Sequence, residues 1–527
     1  MFRRIVAGIA TGFIAGCFVP ACALAQADGG PAAAAPPPIA VAPPPPADPL
    51  NCPPLTDKEI KRRYPLSGVA MDQGTDLLDK KRPDEAIVYL DRSLCLQPSA
   101  IAWQNRGAAR IDQHRYADAV ADLQRALELE PGRDDARVNL ARALSDLRNY
   151  KQALAIFDEL LARKPHFQAA LQNRSSARQR SGDFAGSIAD LQTLISLTRD
   201  REAARRAGFY VDIAGDWVFA KDYDKAIDAA NQALATDPTD ADALRMRGYA
   251  KSKLGQTDAA IEDYTAAITL DPHFKKAFGN RGEAHLAKKE YDLAIADFSQ
   301  EIALSPDTTG YIHRATAYDA KGDGDLALAD LDMAVKLNGH DGLARASQVF
   351  FKIKHGDLNG ALADADAIVG IWPNDINAYE LRTQVLRQRK EYDRALGDID
   401  HALTLSAKSP QLLTDRCWFG LLSGHDLPRA LADCEAALAI RADFTAALDA
   451  RARVLLRMGR FDDAVAGFDQ VLKAAPQTWD ALYARGLAKL ARGDQAGGEA
   501  DVAAAKAGDP AVAKNAEEFG VYGQTAR

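Results

Sequence analysis

The sequence predicts an all-α solenoid, and three observations carry that prediction. First, one small residue returns every 33 to 35 positions, with a single wider step of 39: Ala86, Ala119, Ala153, Ser187, Ala226, Ala260, Ala294, Ala327, Ala361, Ala395, Ala430, Ala464 and Gly498. Second, a proline stands twelve residues after most of these marks, from Pro98 and Pro131 to Pro476 and Pro510. Third, no alternating strand pattern of any length interrupts the 527 residues, of which only 7% are aromatic. A period of this length marks an array in which each unit buries its apolar face against its neighbours, so core size sets no limit on chain length.

Residues 1–27 read as a secretory signal peptide rather than as part of the fold. Met1 to Arg4 is a short basic start, Ile5 to Val19 is apolar, and Ala23-Leu24-Ala25 supplies a small-residue cleavage site after Pro20. Export to a bacterial periplasm is the expectation. Ile14-Ala15-Gly16-Cys17 also resembles a lipobox, in which Cys17 would be acylated and become the mature N-terminus. Membrane association, at the outer membrane, would follow only from that lipid, so soluble and anchored forms are both open. Residues 28–65 form a Pro/Ala-rich linker, with Pro36-Pro37-Pro38 and Pro43 to Pro46. Such a stretch buries no core and favours semi-rigid polyproline II.

Repeats fill residues 66–510, and 511–527 read as a C-terminal tail. Each of about thirteen units carries two helical patterns, near Ala100 to Gln113 and Tyr116 to Leu129 in the second. Small residues twelve before the mark, such as Gly74, Gly107, Gly248 and Gly282, let the paired helices approach closely. Large apolar residues four after it, such as Leu90, Leu123, Phe157 and Phe298, fill the space between them, and aromatics three before it (Tyr116, Tyr150, Phe184, Tyr223) cover the turn. The wide step carries extra residues around Arg199 to Arg206. They read either as a lengthened helix or loop, or as a break that divides the first four units from the rest.

The joint recurrence of the Gly/Ala, Tyr, Ala and Pro landmarks resembles the tetratricopeptide repeat family across the whole array. That resemblance implies a right-handed superhelix of helix pairs, with the first helices lining a concave groove that usually receives peptides.

A paired charge repeats inside the units, an Arg thirteen before the mark and an Asp three after it. The pairs are Arg106 with Asp122, Arg174 with Asp190, Arg247 with Asp263, Arg281 with Asp297, Arg314 with Asp330, Arg382 with Asp398, and Arg485 with Asp501. Where the Arg is missing the Asp can go too: Leu140 stands with Ile156, and Ile213 with Ala229. Joint exchange points to contact, because a lone semi-buried charge is costly. These read as structural bridges between the helices of a unit; an active site is not copied seven times. In the eleventh unit Cys417 takes the Arg slot and Cys434 the large-apolar slot facing it. A disulfide there is geometrically reasonable and would close a loop worth about 3 kcal/mol on the chain-entropy account. Cys52 and Cys95 would then be left to pair, pinning the linker onto the first unit. An even number of cysteines after leader removal suits an oxidising compartment.

The groove holds the binding candidates. Asn105, Asn139 and Asn173 stand fourteen before the mark in three successive units, with Asn280 alone further on. A carboxamide donates and accepts, so a row of them can hold a peptide backbone whatever its side chains. The row resembles the asparagine ladders of some peptide-binding members of the family; the plainer reading is that each satisfies local backbone. In the C-terminal half Phe350, Phe419 and Tyr483 fall on faces that family geometry turns toward the groove, as an apolar patch or as packing between units.

No CxxC, HExxH, GxSxG or phosphate-loop pattern occurs, so no metal, cofactor or catalytic residue is expected. The net charge of −8 falls to −10 once Arg3 and Arg4 leave with the leader, which argues against a nucleic-acid partner. The expected function is therefore binding of other proteins or peptides, as an interaction scaffold or adaptor. The alternatives are an outer-membrane-anchored lipoprotein of envelope assembly or secretion, and a structural spacer or a non-catalytic subunit of an envelope enzyme.

Overall fold

A computed structural model describes residues 57–518. Among these residues it contains twenty-seven α-helices, one short 3₁₀ turn and no strand. The helices form thirteen consecutive antiparallel pairs. The described residues fall into two compact units. The first ends at Ser305 and holds seven pairs, from Asp57–Asp79 with Pro83–Leu96 to Lys275–Ala287 with Tyr291–Leu304. The second begins at Pro306 and holds six pairs, from Thr308–Lys321 with Gly324–Leu337 to Trp479–Ala491 with Gln495–Gly508. A short helix, Val512–Glu518, follows the last pair.

The repeated marks sit where the two helices of a pair cross. Ala86, Ala119, Ala153, Ala226 and Ala260 are wholly buried. The small residues that face them are there for room: a Cβ on Gly107 would lie 2.7 Å from Leu123 Cγ, and one on Gly282 would lie 2.6 Å from Phe298 Cε1. Leu90, Leu123, Phe157, Phe298 and Phe468 in turn are completely buried. The prolines lie in the loops just before the next pair, as Pro98 does before Ala100–Asp112.

The turn within a pair needs one residue in the left-handed region. Seven turns use glycine there, including Gly255 at φ 77° and Gly322 at φ 101°. Six others use Lys81, His114, Arg148, Lys221, Lys289 and Lys390, with φ between 58° and 63°. An L residue in that region costs roughly 1 kcal/mol, a strain these exposed turn positions carry.

Three boundaries differ from the sequence reading. The first helix starts at Asp57, inside the stretch read as linker. Residues 512–518 are helical where a tail was expected, because Val512 and Ala516, one turn apart, are both buried, and Ala516 joins the apolar core of the last pairs. The extra residues after Thr198 form the 3₁₀ turn Asp200–Glu202 and lengthen the next helix to the seventeen residues Ala203–Phe219. Both flanks of that insertion belong to the first compact unit, and the division between units falls at Ser305/Pro306 instead.

Candidate functional site

The recurring Arg and Asp meet side by side. Arg106 donates from Nε and Nη2 to the two oxygens of Asp122 at 2.9 and 2.7 Å. The same fork joins Arg174 to Asp190, Arg247 to Asp263, Arg281 to Asp297, Arg314 to Asp330, Arg382 to Asp398 and Arg485 to Asp501. Parallel donors fix both planes, which a single ammonium could not do. The hydrogen bonds that Arg247, Arg314 and Arg382 donate to Asp263, Asp330 and Asp398 hold these guanidiniums above their ordinary range.

Sequence reasoning missed that most of the forks reach into the preceding pair as well. The remaining Nη1 of Arg106 donates to Asp91 at 2.6 Å, that of Arg174 to Asp158 at 2.7 Å, and that of Arg485 to Asp469 at 2.7 Å. Asn231 and Thr265 take this place for Arg247 and Arg281. The signal was present, since Asp91, Asp158, Asp366, Asp400 and Asp469 all stand five after a mark. A second cation, nine before the mark, often closes the cluster: Arg110 on Asp122, Arg178 on Asp190, Lys251 on Asp263 and Lys489 on Asp501. In the eleventh unit, where Cys417 displaces the Arg, Arg416 supplies the fork to Asp433 and also reaches Asp400 at 2.7 Å. These charges are therefore struts within and between pairs.

Cys417 and Cys434 are joined as a disulfide in the structure, with Cα atoms 5.5 Å apart and both residues fully buried. Cys52 lies outside the described residues, and with it the pairing expected for Cys95.

The asparagine row splits into different local roles. Asn105 donates from Nδ2 to Thr75 Oγ1 at 2.8 Å, tying it to the preceding pair. Asn139 is half-buried. Asn173 donates to the carbonyl of Ala169 at 2.8 Å, which leaves its own carbonyl oxygen as acceptor. Asn280 carries an Nδ2 that is buried without a hydrogen-bond partner. One cleft of about 370 Å³ meets the row, lined by Asp112, Arg142, Asp146, Asn173, Ser176 and Arg180. It spans the first helices of three successive pairs, and its walls are mostly polar. Arg180 is closed onto Asp146, whereas the nearest carboxylate oxygen to Arg142, on Asp112, is 3.9 Å away.

One pair further along, Asp212 occupies the same register as Asn173, fourteen before the mark. The surrounding protein desolvates its carboxyl, and the charges of Asp216 and Asp242 add to this, so that it is pushed up to about 6. Solvent still reaches the residue.

The apolar patch does not present itself as a surface. Phe419 is buried, and Phe350 and Tyr483 pack against the same core of the second compact unit. Phe350 and Tyr483 stay partly exposed while they pack against that core. Among the described residues no group of His, Cys, Asp and Glu is placed to hold a metal ion, and no helix is long and apolar enough to cross a membrane.

Comparison with known proteins gives a consistent picture of the repeats. One tetratricopeptide repeat model matches residues 71–136, 245–308 and 450–513, and a second matches 110–174. Sperm-associated antigen 1 of Mus musculus is 29% identical over 139 residues, 26% of this chain and 15% of that protein. Bacteriophage adsorption protein A of Escherichia coli (strain K12) is 26% identical over 167 residues, 29% of this chain and 17% of that protein. The chain thus spans a small part of the length of these relatives. Among solved structures, yeast Tom70 aligns with a TM-score of 0.41 at 16% identity, covering 86% of this chain and all of that one. The Cut9–Hcn1 assembly aligns at 0.37 and 12% identity, covering 90% of this chain and 99% of that one.

Proposed function

Because the chain is a tetratricopeptide-repeat protein, we propose that it is an exported interaction scaffold that grips extended segments of partner proteins along the first helices of its N-terminal pairs. The observation that carries this reading is the cleft lined by Asn173, which spans the first helices of three successive pairs, the same three that carry Asn105, Asn139 and Asn173. Carboxamide groups there could meet a peptide backbone while the cleft receives a side chain. The recurring Arg and Asp are committed to struts, which favours binding over chemistry at those positions.

Residues 1–27 support a periplasmic location, and Cys17 supports an anchored form of the same scaffold at the outer membrane. In either case the disulfide between Cys417 and Cys434 suits an oxidising compartment.

The test is crosslinked affinity capture from intact envelopes, comparing the wild type with Asn105→Ala/Asn139→Ala/Asn173→Ala. A partner held by the wild type and lost by the folded variant supports the reading. Equal capture by both refutes a role for the row.

A further inference from the structure

We propose, resting on the groove reading above, that the bound segment is bipolar: it places an acidic side chain at Arg142 and a basic side chain at Asp212, with an uncharged stretch over Asn173 and Ser176 between them. All four residues lie in the first compact unit, on the first helices of three successive pairs.

Arg142 is the unlocked cation of the cleft. Its side chain is 48% exposed, and among the described residues its one ion pair is the 3.9 Å approach of Asp112. By contrast Arg180 is held on Asp146, and Arg106 and Arg174 are forked onto their carboxylates. Arg142 follows Asn139 by three residues on the helix Asp134–Asp146, so both project from one face. A backbone meeting Asn139 therefore passes the guanidinium. In the next pair, Asn173 and Ser176 hold the equivalent positions and carry no charge.

Asp212 is the complementary feature. Among the described residues Asp212 forms no ion pair, it stands on the first helix of its pair in the register of Asn173, and the charges that act on it, Asp216 and Asp242, are both negative. Asp242 has its own partner in Arg245 at 2.6 Å, and Asp216 receives Gln179 at 2.7 Å. A ligand ammonium or guanidinium would meet an unmatched carboxylate there. Helices in contact lie about 8–10 Å apart, so two pairs separate the charges by roughly 20 Å, or about six residues of extended chain. Opposite charges at fixed spacing also set the direction in which the segment lies, since the reversed order juxtaposes like charges at both ends.

The test uses the full chain and fluorescein-labelled twelve-residue peptides on a Ser/Ala/Gln background, read by fluorescence anisotropy. One set is uncharged; the others carry one Glu and one Lys, four to eight residues apart, in either order. The expected result is one preferred order and spacing, bound about fivefold or more tighter than the uncharged peptide. The double swap Arg142→Glu/Asp212→Lys should reverse the preferred order. The milder Arg142→Gln/Asp212→Asn should reduce the preferred peptide to the uncharged level, and unchanged circular dichroism at 222 nm checks that each variant folds. Equal binding of uncharged, forward and reversed peptides overturns the bipolar proposal and leaves the groove reading standing. A preference that survives both variants also overturns it. Binding of no peptide at all overturns both.

Discussion

Removing the carboxylate of Asp122 tests the strut account most sharply. Asp122 is completely buried, receives two hydrogen bonds from Arg106, and pairs with Arg110 at 2.9 Å. Arg106 and Arg110 are themselves only 2% and 5% exposed. Asp122→Ala leaves Arg106 with Asp91 alone and leaves Arg110 without its carboxylate, so two buried guanidiniums lose their main counter-charge. Breaking a buried pair in this way costs about 3–5 kcal/mol. The third unit shows how the same site can be built without charge: Leu140, Leu144 and Ile156 stand in the positions of Arg106, Arg110 and Asp122, and the two leucines are buried. Arg106→Leu/Arg110→Leu/Asp122→Ile should therefore cost far less than the single change, within about 1–2 kcal/mol of the wild type. Hydrogen exchange of peptides covering residues 100–129 reads the local opening free energy, which suits a repeat array better than one global transition. The single variant should exchange about 10²- to 5 × 10³-fold faster there. The reasoning fails if Asp122→Ala costs under about 1 kcal/mol, or if the triple change costs as much as the single one.

Three further outcomes are expected. Gly255→Ala should cost about 1 kcal/mol by backbone strain alone, since nothing lies within 4 Å of its Cβ position, while Lys221→Gly should not destabilise its turn; urea midpoints compare the two. Reduction of Cys417–Cys434, or Cys417→Ala/Cys434→Ala, should weaken the eleventh pair by about 3 kcal/mol, seen as faster exchange over residues 410–440 that added reductant reproduces only in the wild type. The hydrogen bond from Lys164 to Asp134, 2.5 Å long, holds that carboxyl below the usual carboxylate range. A depressed folded value gives stability that is full above the unfolded value of about 3.9 and is lost as the pH falls through the folded one. Asp134→Asn should thus lower stability near neutrality and shallow its decline below about pH 4 in thermal melts.

The period and its small residues made the helix pairs legible, because Ala119 or Gly107 is required wherever two helices must touch and the requirement recurs. The forks were legible for a similar reason, through the joint loss of Arg and Asp at Leu140/Ile156 and Ile213/Ala229. The reach to Asp91 or Asp469 was harder to see, since it joins one pair to the next and needs the packing of neighbours to be known. Burial of Phe350, Phe419 and Tyr483 was undecided in the sequence for the same reason: one face of a first helix serves both the groove and the next pair. The cleft at Arg142 and the left-handed lysines of the turns depend on local geometry that no periodicity reports.

The placement of the inter-pair hydrogen bonds has a mechanical meaning. A shared guanidinium bolts the second pair to the first, the fourth to the third, the sixth to the fifth and the seventh to the sixth. Leu140 and Ile213 put no such bolt between the second and third pairs or between the fourth and fifth. Other hydrogen bonds take its place there: Arg133 Nε donates to Gln104 at 3.0 Å across the first boundary, and Gln179 Nε2 to Asp216 at 2.7 Å across the second. The pairs of the first compact unit are thus fastened in two ways, by the guanidinium of a fork or by side chains outside it. The third and fourth pairs, which carry Arg142 and Asn173, are fastened in the first way, and the fifth, which carries Asp212, meets the fourth in the second.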